Sequence, residues 1–190
     1  MKQAHWIDIG SPLGDIALRI ENARLTGLFF VGQKHFPART VVAVPPDDAS
    51  RSAATWGASS PLAVRARGQI ADYFAGRLQT FDLPLAPHGS AFELAVWQQL
   101  ATIPYGTVTT YGAIAKRLGL APGYARAVGA AVGKNPLSIL IPCHRVLGAG
   151  GQLTGYAGGL PRKQALLDLE ASVVALQSTQ AHQAATDAEP

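Results

Sequence analysis

A thiol, an imidazole and a guanidinium follow one another at Cys143-His144-Arg145, and Cys143 is the only cysteine among 190 residues. A sulfur nucleophile needs a base to take its proton and positive charge to hold the thiolate. His144 offers the base and Arg145 the charge. The apolar run Leu137 to Ile141 delivers the pair, and Pro142 fixes the backbone just before the thiol. A lone cysteine beside an apolar run also describes an inert core residue, since free cysteine is among the most buried types. The dipeptide alone leaves both readings open. Neighbouring residues on an extended strand point to opposite faces, so a working relay requires Pro142-Cys143-His144 to lie in a turn.

The elements around this pair set its context. Ser90 is a plausible N-cap for a helix from Phe92 to Ile103 whose inward stripe is Leu94, Val96, Trp97, Leu100 and Ile103. Pro104-Tyr105-Gly106 ends it, and Thr110 or Thr109 caps a second helix through Leu118. After the Gly119–Gly123 turn, a third helix runs from about Tyr124 to Val132 or Lys134. Two short helices joined by a glycine-bearing turn form a helix-turn-helix pattern, with the second as recognition helix. That helix is bare: Ala125, Ala127, Gly129, Ala130, Ala131 and Gly133 carry almost no bulk, and Arg126 is its one large side chain. A helix reading bases in the major groove wants amide or cationic forks in its middle. A thin face suits close approach to DNA, including the minor groove, with little sequence preference. Tight packing in a core is the alternative use of the same residues.

Upstream, His5 to Gly10, Asp15 to Ile20 and Leu25 to Val31 read as an antiparallel meander, and Arg39 to Val44 as another strand or an irregular segment. Pro45 to Ser50 is a break. Leu62, Val64, Ile70, Tyr73, Phe74 and Leu78 suggest an amphipathic helix, Phe81 to Leu85 a short final strand, and Pro87-His88-Gly89-Ser90 a linker. The fold class is therefore α/β (α+β) in two small domains, residues 1–86 and 87–172. A last helix spans Arg162 to Glu170, and residues 173–190, without periodicity, are expected to be a flexible tail. Gly148 to Thr154 reads as a hairpin or flexible wing.

Composition narrows the function classes. Hydrophobic residues make up 48% of the chain, yet no run is long enough to span a membrane. One cysteine excludes an internal disulfide and an ordinary multi-cysteine zinc site, and a reactive thiol suits a reducing cytoplasm. Scattered His5, His35 and His88 are read as non-ligands, so no metal and no cofactor is expected. Net charge is +4, and between Glu93 and Asp168 there is no acidic residue, while Lys116, Arg117, Arg126, Lys134, Arg145, Arg162 and Lys163 fall there. A phosphate-facing surface needs that lack of carboxylates.

Ile141-Pro142-Cys143-His144-Arg145-Val146, with Asn135 eight residues before the cysteine, resembles the active-site signature of the O6-alkylguanine-DNA alkyltransferases, the methylated-DNA–protein-cysteine methyltransferases. The likeness continues through Pro104 to Gly112, Ala125 to Gly129 and Gly155 to Gly159; it is dense over about residues 81–170 and loose before them. It implies a ribonuclease-H-like sheet and helix ahead of a winged helix-turn-helix-like domain. It also implies a DNA repair enzyme that moves the alkyl group of O6-alkylguanine, and in some cases of O4-alkylthymine, irreversibly to Cys143. Catalytic roles fall on Cys143, on His144 as its base, on Glu170 orienting that histidine, and on Tyr111 as proton donor to the leaving base. Tyr111 and Arg126 would rotate the nucleotide out through the minor groove, with Ala125, Ala127, Gly129 and Ala130 along the DNA. Asn135 would act as hinge, the backbone of Val146 would meet the exocyclic amine, and Tyr156, Ala157 and Gly158 would wall the pocket. Ala157 departs from members that carry serine there. The implied partner is double-stranded DNA containing O6-alkylguanine, met by a monomer. The competing readings are a cysteine hydrolase and a non-catalytic helix-turn-helix or lesion-flagging protein. The hydrolase would want a histidine far from the cysteine in sequence.

Overall fold

The computed structural model describes residues 4–39 and 60–186, so the expectation for Arg39 to Val44, past Arg39 itself, and that for Pro45 to Ser50 fall outside the described residues. Three strands form the expected antiparallel meander: β1 (His5–Ile9), β2 (Ile16–Glu21) and β3 (Arg24–Phe30), in the order β1-β2-β3. Register pairs Ile7 with Leu18 and Leu18 with Leu28. The first connection closes by a Gly14 N–H to Ser11 carbonyl bond of 3.1 Å, with Gly14 at φ +99°. The other edge of β3 is covered too. Leu25 bridges Leu85, and Leu28 bridges Leu137, both in parallel sense.

Helix α1 (Pro61–Phe74) starts where Ser60 accepts the Ala63 N–H and Pro61 occupies the first turn, a position where its missing N–H costs nothing. Its buried stripe is Ala63, Ala66, Ile70 and Tyr73. The sequence expectation puts Leu62 and Val64 inward and closes the helix at Gly76 or shortly after. The helix ends at Phe74 with Gly76 at φ +71° just beyond, and Leu62 packs partly against the core, but Val64 is 59% exposed. Small alanines mark the contact face, and a hydrophobicity reading passes over them. The expected strand at Phe81 to Leu85 is likewise absent. Only Leu85 bridges, through Leu25 N–H to Pro84 and Ala86 N–H to Leu25, each 2.8 Å.

Helix α2 (Ala91–Ala101) carries a full capping box between Ser90 and Glu93. Lys134 donates to the same Glu93 at 2.8 Å, tying the start of α2 to the end of the Ala125–Gly133 helix. That bond, then the Ser90 N–H, holds the Glu93 carboxyl at about 2. Thr110 caps α3 (Tyr111–Arg117) through the Ala113 N–H, and α4 (Ala125–Gly133) follows the turn. Trp97 is core, as expected, its indole N–H bonded to the Ala131 carbonyl at 2.8 Å. Two short strands that periodicity could not reveal, β4 (Thr109–Thr110) and β5 (Val146–Leu147), pair in parallel and join the start of α3 to the segment after the cysteine.

Helix α5 (Leu160–Thr186) corrects the expected flexible tail: it runs past Glu170 through residues 173–186. Val173 is buried, and Gln79 bonds Gln177 at 2.8 Å. Ala and Gln are good helix formers, so loss of an apolar stripe did not end the helix. Instead of a hairpin, Gly148 and Gln152 close a small loop at 2.9 Å. The buried side chains of β1–β3, α1–α4 and the run before the cysteine belong to one continuous core that reaches Leu166 of α5. No helix among the described residues is long and apolar enough to cross a membrane.

Candidate active site

Cys143 to Arg145 form a single 3-10 turn following Pro142, the bend that a Cys-His relay requires. The turn is held from beneath. Asn135, buried at the end of α4, donates its amide to the Ile141 carbonyl at 2.8 Å and accepts the Leu137 N–H at 3.1 Å. Ile139 sits at φ +69°, a conformation that costs a β-branched residue roughly 1–3 kcal/mol. Burial of its neighbours Leu137 and Leu140 and the Asn135 bonds keep the chain there.

His144 is fully buried and lies 2.8 Å through Nε2 from Glu170 Oε1. Glu170 would read from sequence as a surface charge; it is completely buried instead. Its carboxylate accepts from Tyr73 Oη at 2.8 Å, from Arg145 Nε and one terminal nitrogen at 2.9 Å each, and from the Gly106 N–H at 3.0 Å. Gly106 needs to be glycine: it stands at φ +69°, and a Cβ there would lie 2.5 Å from Val174 Cγ2. Burial would raise Glu170, but the bonds and charges of His144 and Arg145 outweigh it and hold the carboxyl at about 2. An ionised carboxylate only accepts, so Nε2 of His144 carries the proton and Nδ1 keeps a lone pair. Among the described residues Nδ1 has no hydrogen-bond partner. Burial also lowers the imidazole's affinity for a second proton.

Arg145 does not serve the thiol, contrary to the sequence expectation. Besides Glu170 it bonds the Ile103 carbonyl at 2.6 Å and lies over the Tyr105 ring at 5.5 Å. The cation acting on Cys143 is Lys163 of α5, entirely buried, which donates to the Val146 carbonyl and to the Thr154 carbonyl at 2.7 Å. Burial brings Lys163 down to about 8, with Cys143 pulling the other way. Burial pushes the Cys143 thiol up, while the Asn135 amide, the Lys163 charge and the N–H groups of Cys143 and His144 work to lower it. The net direction favours the protonated thiol. Lys163 carried no signal in the sequence beyond its charge, and Tyr73 read as one more apolar position of α1.

A groove of about 640 Å³ runs between α4 and the 155–160 loop. Gly129, Ala130, Tyr156 and Ala157 line it, as the expected recognition and pocket-wall positions would; Lys34 and His35 join from the loop after β3. Gly158 is buried, and a Cβ on it would lie 2.7 Å from the Tyr156 ring and 3.0 Å from Phe30. Cys143, Asn135 and Val146 are buried and do not line the groove; Cys143 is 4% exposed. The alternative of a core-facing alanine helix is half met. Val128, Ala131 and Val132 of α4 are buried, while Arg126, Ala127 and Ala130 are exposed and Ala125 and Gly129 half-buried. Tyr111 lies against Gly129 and donates to the carbonyls of Thr154 at 3.1 Å and Gly155 at 3.3 Å. Of the seven basic residues in the acid-free stretch, Lys116, Arg117 and Arg126 are exposed without an acidic partner among the described residues. Arg162 packs over Phe30 and donates to the Leu13 and Gly158 carbonyls.

Residues 91–172 match the family model described as 6-O-methylguanine DNA methyltransferase, DNA binding domain. The methylated-DNA–protein-cysteine methyltransferase of Mycobacterium tuberculosis is 45% identical over 168 residues, 88% of this chain and 93% of the relative. That of Methanosarcina acetivorans is 50% identical over 118 residues, 62% of this chain and 75% of the relative. The crystal structure of Mycobacterium tuberculosis OGT in complex with DNA superposes with a TM-score of 0.73 at 43% identity, covering 89% of this chain and 94% of that one.

Proposed function

The chain belongs to the methylated-DNA–protein-cysteine methyltransferase family, an enzyme of DNA repair that binds DNA, and on that premise we propose that it transfers the alkyl group of O6-alkylguanine in duplex DNA once, and irreversibly, to Cys143. The observation that carries this reading is the buried sequence thiol, imidazole, carboxylate. Cys143 precedes His144, whose Nε2 is held by Glu170 and whose Nδ1 is left with a free lone pair.

The target atom is inside the helix, so the nucleotide leaves the stack first, at a cost of a few kcal/mol that is smaller for a poorly paired lesion. Arg126, exposed near the start of bare α4, fills the space through the minor groove, and Tyr111 crowds the adjoining phosphate. The everted base enters beside Tyr156, Ala157 and Gly158, with its exocyclic amine toward the backbone carbonyls of Cys143 and Val146. Nδ1 of His144 takes the thiol proton through one bridging water. The sulfur attacks the alkyl carbon, the carbon–oxygen bond breaks, and its electron pair returns to the purine. Tyr111 protonates a ring nitrogen, exchanging its present bond to Thr154 for the base, and the proton taken by His144 restores the phenol. Cys143 ends as a thioether that nothing in the chain regenerates, so each molecule reacts once. O4-alkylthymine, which presents an alkylated oxygen in the same sense, is a second substrate. The protein works as a monomer in the cytoplasm, with residues 1–86 as one domain and a second that begins at residue 87 and takes in α5.

The test is incubation with duplex DNA carrying an isotopically labelled methyl on guanine O6, followed by mass analysis of the peptide containing Cys143. One methyl per protein supports the reading; a hydrolase or a DNA-binding regulator gains none. Arg126→Ala is expected to lose about 10²-fold or more in transfer from the duplex while keeping its rate on the free alkylated base, because only the duplex requires extrusion. Equal loss on both substrates would remove the finger role from Arg126.

A further inference from the structure

The Glu170 carboxylate is more heavily used than a histidine-orienting group needs to be. Five donors meet its two oxygens: Tyr73, His144 and an Arg145 terminal nitrogen on Oε1, Arg145 Nε and the Gly106 N–H on Oε2. A carboxylate offers about four lone-pair sites, so these donors share its charge. Arg145 belongs to the same turn as His144 and moves with it. Tyr73 differs in its origin: it comes from α1, 97 residues away in the chain, and reaches the same oxygen that holds His144.

We infer that Tyr73 is a positioning residue of the transfer reaction, its phenol fixing the Glu170 oxygen that orients His144 and drawing charge from it, so that α1 sets both the aim and the strength of the base. The inference rests on the reading of Cys143, His144 and Glu170 as a transfer relay. The phenol is well suited to the task. It is completely buried, and its ring is wedged among Phe74 at 5.5 Å, Phe81 at 5.4 Å and Tyr105 at 6.0 Å, so Oη has no freedom to turn away. Burial and the adjoining Glu170 charge push its pKa far above the usual range, which keeps it a donor at any working pH. The other groups that face His144 and Glu170 are Cys143 and Arg145 of the turn, Tyr105 of the preceding loop and Lys163 of α5. Among these charged and titratable groups, Tyr73 alone donates from outside the turn to Oε1.

Removing the phenolic oxygen leaves more negative charge on Oε1 opposite Nε2, which favours the protonated imidazole. In full-length Tyr73→Phe, the titration of the His144 ring nitrogens, followed by nitrogen-15 NMR, is expected to move up by about one pH unit. The acidic limb of the single-turnover methyl transfer rate moves with it, since protonated His144 cannot accept the thiol proton. A lowered melting temperature with both profiles unmoved assigns Tyr73 to packing alone and overturns the proposal. Should Tyr73→Phe fail to fold, ring-fluorinated tyrosine at position 73 keeps the shape and makes a stronger donor. Both profiles then move down, and profiles that stay put overturn the proposal equally. Wild-type protein that takes up no methyl group defeats the transfer reading instead, and the coupling of Tyr73 to His144 is then decided by the imidazole titration alone.

Discussion

Cys143→Ala protein is expected to bind duplex DNA as the wild type does and to acquire no alkyl group at all. The substitution deletes a single sulfur, with its contact to the Asn135 amide, and leaves the turn's backbone bonds and the Asn135 bonds to Leu137 and Ile141 in place. The fold should lose only about 1 kcal/mol, in line with removal of one buried methyl-sized group. Chemistry, by contrast, has no substitute nucleophile: the chain contains no second cysteine. Binding is measured by fluorescence anisotropy with labelled duplex, and transfer by the mass of the intact protein after long incubation. Label appearing on the alanine protein would mean that another residue accepts the alkyl group.

Glu170→Gln carries the second large effect, on stability and on rate together. Five donors point at the carboxylate, and an amide presents an NH₂ group to some of them, while the buried Arg145 loses its counter-charge. Removing one partner of a buried ion pair costs about 3–5 kcal/mol. His144 would at the same time lose the group that fixes its tautomer, at a cost to transfer of about 10²–10⁴-fold. Rates are compared well below the variant's melting temperature, so that unfolding does not contribute. The wild type's own acid sensitivity follows from the same group. The folded Glu170 titrates near 2 against an ordinary 4.5, so its stabilisation is complete above 4.5 and disappears as pH falls toward 2. His144, whose folded value lies below 6.5, acts earlier: the unfolded chain gains a proton first, and stability falls as pH drops below 6.5. Denaturant midpoints measured from neutrality downward should decline in that order, and Glu170→Gln should shrink the lower part of the decline to what Glu93 and the other carboxylates contribute. A midpoint independent of pH between 6.5 and 2 would contradict both.

The parts of this site that were legible in the sequence are those fixed by local chemistry. Pro142 before Cys143, the Ser90 and Thr110 caps and the bare α4 each announce themselves within a few residues. Glu170 could be reached only through family likeness, since nothing near it in the chain shows a buried carboxylate. The role of Arg145 was misjudged because adjacency in sequence suggested adjacency to the sulfur. The turn sends it toward Glu170 and Ile103, while Lys163 arrives from another helix. In α1, Ile70 and Tyr73 announce the buried stripe while Ala63 and Ala66 do not and Val64 misleads; the length of α5 stays hidden because propensity, not periodicity, sustains it. The role of Tyr73 was invisible for a simpler reason: an aromatic on a helix's inner face looks the same whether its hydroxyl is idle or employed.

Strand β3 has its outer edge closed by two borrowed segments, Leu85 from the stretch between α1 and α2 and Leu137 from the run that carries the thiol. Leu28 both donates to Pro136 at 2.8 Å and accepts from Ser138 at 3.0 Å. An uncovered edge of such apolar composition is a template on which a second molecule can add a strand. Lifting the 136–138 segment away therefore does two things in one motion: it dismantles the nucleophile's support and unmasks an adhesive border. Loss of the working conformation and the start of self-association share a single latch.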